Sequence, residues 1–89
     1  MNRQHFLPSL FTESEPADIV METTRGTYIG KFDRAKIDRS LPAEQQPIWS
    51  IRLVETLNDT TIRTLYPSGM KQAMFVWDDK DSYNYQYAL

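Results

Sequence analysis

Residue types able to do chemistry are few and scattered in this 89-residue chain. His5 is the single histidine and cysteine is absent, so no Ser-His or Cys-His pair held by a third group can be assigned. The densest carboxylate group is Asp78, Asp79 and Asp81. A hard cation takes several oxygen ligands from one loop, but the glycine and the spaced further ligands of an EF-hand are missing. These aspartates therefore read as residues that start a turn or cap a helical turn. Glu13 with Glu15, and Asp18 with Glu22, offer acid and base by type alone, with no apolar pocket to split their pKa values. Gly26, Gly30 and Gly69 are the only glycines, which leaves no phosphate-cradling loop. The expectation is a protein that is not an enzyme, with no metal and no cofactor.

What remains is the chemistry of binding. From Arg25 to Arg39 there are five bases, Arg25, Lys31, Arg34, Lys36 and Arg39, against Asp33 and Asp38, a local +3 in a chain whose net charge is −2. Cations bind phosphates and interleaved rings such as Tyr28 and Phe32 stack on bases, so this run is the candidate nucleic-acid site. The second candidate is C-terminal. Tyr83, Tyr85 and Tyr87 recur at strand spacing, and Met74 with Val76 adds apolar surface just upstream. Tyrosines supply large amphipathic contact area. The leading expectation is a non-enzymatic binding module that engages a protein partner, or a second copy of itself, through Met74, Val76, Tyr83, Tyr85 and Tyr87. A small nucleic-acid-binding barrel using the basic run is the alternative.

Positioning those residues falls to β-strands. Asp18 to Thr24 and Thr27 to Asp33 flank Arg25-Gly26, read as a two-residue turn. That register sets Ile19 opposite Phe32, Met21 opposite Gly30 and Thr23 opposite Tyr28, which sends both aromatic rings to the core and weakens the nucleic-acid reading. Gly30 within the strand predicts a bend or a close approach. Residues 35–47 lack period-two patterning and hold two prolines, so they read as a long connection with at most one helical turn. Ile48 to Leu57 and Thr60 to Tyr66 flank Asn58-Asp59, which suits a type I′ turn. Its register places Trp49, Ile51, Leu53, Ile62 and Tyr66 on one face, and Ser50, Arg52, Val54, Arg63 and Leu65 on the other. Pro67-Ser68-Gly69 is a further turn. Lys71 to Trp77 then reads as a strand apolar on both faces.

Five or six short strands with turns this close predict a mainly β domain, an antiparallel meander curled into an SH3-like barrel. The alternative is a twisted antiparallel sheet with a short N-terminal helix packed on one face. Residues 1–16, broken by Pro8 and Pro16, read as an N-terminal arm in which Phe6, Leu7, Leu10 and Phe11 form the turn that docks, and residues 17–89 read as a single domain. With 40% hydrophobic residues, one modest core without disulfides suffices. The stretch Gly26-Thr27-Tyr28-Ile29-Gly30-Lys31-Phe32-Asp33 resembles a strand pair of the Sm-like small barrels, whose apolar-Asp end lies near RNA-contacting loops. The spacing is shorter than that family's and its second motif is absent, so no site residue is carried over. No run approaches ~18 apolar residues, and the lack of cysteine is compatible with a cytoplasmic protein.

Overall fold

A computed structural model describes residues 17–89. The N-terminal arm, the helix expected there, His5, Glu13 and Glu15 lie outside the described residues. Six strands follow in order: β1 (Ile19–Glu22), β2 (Thr27–Phe32), β3 (Pro47–Asn58), β4 (Thr61–Pro67), β5 (Phe75–Val76) and β6 (Tyr85–Gln86). Short 3-10 turns occupy Ala43–Gln45 and Trp77–Ser82. The architecture is mainly β, as the turn spacing predicts, with all ladders antiparallel.

The expected barrel does not close. The sheet runs β1-β2-β3-β4-β6, with β5 paired separately to β3, and β1 and β6 share no ladder. The physical reason is strand length: β1 has four residues and β6 has two. The sheet instead covers its inner face with a cap, the 3-10 turn from Trp77 to Ser82. The meander is interrupted as well. β3 is twelve residues long, so it carries β4 along its C-terminal half and β5 at its start, through Pro47↔Val76 and Trp49↔Phe75. The strand expected over Lys71 to Trp77 shrinks to Phe75–Val76.

The two hairpin registers depart from expectation in different ways. In β1–β2 the pairs are Ile19↔Gly30, Val20↔Ile29, Met21↔Tyr28 and Glu22↔Thr27, a shift of two residues. Thr23 causes it: its Oγ accepts the N–H groups of Arg25 and Gly26 and its own N–H donates to the Gly26 carbonyl, closing a four-residue loop. A shift of two leaves every side chain on its expected face, because side chains alternate with period two. Ile19, Tyr28 and Phe32 therefore point to the core as read from sequence.

In β3–β4 the shift is one residue, and it reverses β4. The pairs are Leu53↔Leu65, Val54↔Thr64, Glu55↔Arg63, Thr56↔Ile62 and Asn58↔Thr61, with an irregularity between Thr56 and Asn58. Asn58 does not enter a left-handed turn; its Oδ1 accepts from the N–H and the hydroxyl of Thr60, and Ser68 is the one described non-glycine residue with positive φ. Leu57 is thus the extra residue of a bulge. A one-residue slip exchanges the two faces of a strand. Leu65 turns inward at 5% exposure, whereas Ile62 is 46% exposed. Tyr66, expected inward, sits on the outer face.

The core lies between the inner sheet face and the Trp77 cap. Tyr28, Trp49, Ile51, Leu53, Leu65, Trp77 and Tyr85 form it with Ile48. Gly30 is the close approach expected of a glycine within a strand: a Cβ there would stand 2.6 Å from the Trp77 ring. The Trp49 and Trp77 rings meet at 5.5 Å, and Tyr85 meets Tyr28 edge-on at 5.6 Å. The long connection holds a single 3-10 turn, as read from sequence, and is pinned by buried Gln46. That side chain accepts the Asp38 N–H and donates to the Asp38 and Leu41 carbonyls.

One carboxylate ties the start of β1 to the end of β2. Asp18 accepts the Phe32 N–H at 3.0 Å and both Arg34 nitrogens at 2.7 and 3.2 Å. The Arg34 hydrogen bonds, helped by the Phe32 N–H, hold its carboxyl below the usual range against the opposing effect of burial. A depressed folded-state pKa contributes stability that is present above the unfolded value of ~4 and is lost as pH falls through the folded value. Asp18→Asn is therefore expected to lower stability at pH 7 by about 1–2 kcal/mol. It should also shallow the loss of stability below about pH 4, read by urea unfolding across pH. An unaltered acid limb would show that the clamp is not formed in solution.

Candidate anion-binding groove

Lys31 and Arg52 come from neighbouring strands and project to the outer face. Ladder pairs Ile29↔Arg52 and Lys31↔Ser50 make them diagonal neighbours, ~7 Å apart at the backbone. The third cation, Lys71, arrives on the segment between β4 and β5. It is placed by the Ser50 hydroxyl, which donates to the Lys71 carbonyl at 2.9 Å. Those residues, with Ile29, Tyr66 and Ala17, line a concavity of about 300 Å³. Its described lining holds three cations and no carboxylate. The Lys71 ammonium stands 5.7 Å from the centroid of the Tyr66 ring.

A second concavity of about 460 Å³ adjoins the first and shares Lys31, Ser50 and Lys71 with it. Phe32, Arg34 and Asp33 add to its lining. Arg34 lies 4.4 Å over the Phe32 ring while paired to Asp18. The Asp33 carboxylate is turned to its own loop, accepting the Ala35 N–H at 3.0 Å. The outer face is therefore a cationic groove rather than a point site.

The basic run read from sequence does not form one patch. Lys31 and Arg34 line the groove. Arg25 turns away to Glu55 at 3.7 Å and packs over the Tyr85 ring. Lys36 donates to the Ala73 carbonyl at 3.2 Å, and Arg39 is exposed on the long connection. Arg52 and Lys71 were missed because the sequence places them outside the basic run. The available signal was Arg52 sharing a face with Ser50. What sequence does not supply is the β2–β3 pairing that brings Lys31 alongside.

The C-terminal candidates are dispersed. Tyr85 is 7% exposed, and its hydroxyl is buried without a hydrogen-bond partner. Burial, its largest cause, and the nearby Tyr28 push its phenol well above the ordinary value. Tyr83 packs edge-on against Phe75, and its hydroxyl accepts the Val76 N–H. Met74 and Tyr87 are exposed, at 46% and 61%. The ladder of three tyrosines thus divides between core and surface, since only Tyr85 falls within a strand.

Asp78, Asp79 and Asp81 sit in the 3-10 turn capping the inner face, and no three His, Asp or Glu side chains among the described residues converge into a metal site. That turn also carries Lys80, which is buried with its ammonium 4.7 Å from the centroid of the Trp77 ring. No helix among the described residues is long and apolar enough to cross a membrane. Compared with known proteins, the chain matches no family model, no curated protein and no solved structure.

Proposed function

We propose that this chain is a non-enzymatic binding module that takes a phosphate-bearing chain in the groove on the outer face of its sheet. The observation that carries this reading is the lining of the first concavity, three cations and no carboxylate among its described residues. Clefts of one sign with low-dielectric walls concentrate an oppositely charged ligand, which offsets a net charge of −2 that is unfavourable at long range. A cytoplasmic setting belongs to the same proposal. A protein partner at the C-terminal strands is the less supported reading, because Met74 and Tyr87 are the exposed members of that set while Tyr85 is engaged in the core.

The test is titration with inorganic polyphosphate. Three phosphate contacts give a slope of log affinity on log salt of about −2. The variant Lys31→Gln/Arg52→Gln/Lys71→Gln is expected to bind at least about tenfold more weakly with an unchanged far-ultraviolet spectrum. Arg39→Gln, outside the groove, should bind as the parent does. Equal affinity of the triple variant and the parent would reject the groove as the site.

A further inference from the structure

Resting on that reading, we infer that the groove's ligand is single-stranded nucleic acid, with Tyr66 as the ring on which a base stacks. Sequence-tolerant strand binders combine a cationic groove that follows the backbone with aromatic side chains that take bases face to face. Both parts are present. Lys31, Ser50 and Lys71 are shared by two adjoining concavities, so the cations form a track longer than a single phosphate needs. Tyr66, half-buried, lines the first concavity beside Ile29, which is 4% exposed and supplies an apolar floor. Lys71 Nζ lies over the Tyr66 ring at 5.7 Å from its centroid, so a base that stacks on that face displaces the ammonium, which is then free to pair with the nucleotide's phosphate.

Duplex is disfavoured by the same geometry. Major-groove reading needs an element that enters a groove ~12 Å wide, most often a helix. Among the described residues the helical elements are 3-10 turns of three and six residues, and Trp77 of the longer one is buried against the sheet. The cations meanwhile line a concavity of about 300 Å³, small beside a double helix whose major groove alone is ~12 Å wide.

The test uses the full chain and three labelled or competing ligands: an eight-residue oligothymidylate, the same sugar-phosphate backbone without bases, and inorganic polyphosphate. Oligothymidylate is expected to bind about tenfold more tightly than the base-free backbone, since one stacked base contributes that much. Tyr66→Ala should erase this difference and leave polyphosphate affinity unchanged. Tyr66→Phe, which keeps the ring, should retain it. Equal binding of the two oligomers with polyphosphate binding intact would overturn the nucleic-acid assignment alone, and tighter binding of an eight-base-pair duplex, added as a fourth ligand, would overturn the single-strand assignment. Failure of all three ligands would overturn the anion-groove reading beneath it.

Discussion

Replacing Gly30 with alanine is expected to lower the unfolding free energy by about 2–3 kcal/mol, moving Tm down by about 10–20 °C. An added Cβ would stand 2.6 and 2.7 Å from two atoms of the Trp77 ring and 2.9 Å from the Trp49 ring. Both indoles are 2% exposed, and a planar ring packed on all sides cannot yield as the end of a lysine would. The backbone is not the obstacle, because the glycines with positive φ are Gly26 and Gly69. The cost therefore lies in the contact with the rings. Trp77→Leu should cost less in the Gly30→Ala background than in the parent, with a coupling of about 1–2 kcal/mol by double-mutant cycle. A Tm for Gly30→Ala within a degree of the parent would mean that the Trp77 cap does not lie on Gly30 in solution.

That contact also decides where the cations go. Neighbouring strand residues point to opposite faces, so seating Trp77 on Gly30 commits Lys31 to the outer face, and the β2–β3 ladder then brings Arg52 and Ser50 beside it. The groove exists because the opposite face is the core. A variant that loosens the cap is expected to weaken the site without touching a cation.

The inward direction of Tyr28 and Phe32 was legible in sequence because alternation survives a shift of two. Gly30 was legible as a close approach because a glycine within a strand gives up packing for space. The reversal of β4 was not legible. It depends on Leu57 adopting a bulge in place of a two-residue Asn58-Asp59 turn, a form in which the side chain of Asn58 accepts from Thr60. Nor was the open sheet, since the cap that covers its inner face rests on the long-range approach of Trp77 to Gly30. The groove was half legible. Lys31 stood out within a basic run, whereas Arg52 and Lys71 acquire meaning only from pairing and from the Ser50 hydroxyl.

The β3–β4 register can be read from two substitutions whose expected costs differ severalfold. Leu65→Ala is expected to destabilise by about 2–5 kcal/mol, as for other buried leucines, because Leu65 is 5% exposed and belongs to the core cluster. Ile62→Ala, at a side chain 46% exposed, should stay within about 0.5 kcal/mol of the parent. Urea unfolding of the two variants gives the comparison. The two-residue Asn58-Asp59 turn would give the reverse order, with Ile62 in the core and Leu65 facing solvent. The same slip governs the ligand site. Tyr66 shares its face with Ile62 and Thr64, so the register that exposes Ile62 is the one that sets Tyr66 beside Arg52 in the groove. If Ile62→Ala proved the costlier change, Tyr66 would belong to the core and the groove would lose the ring proposed to receive a base.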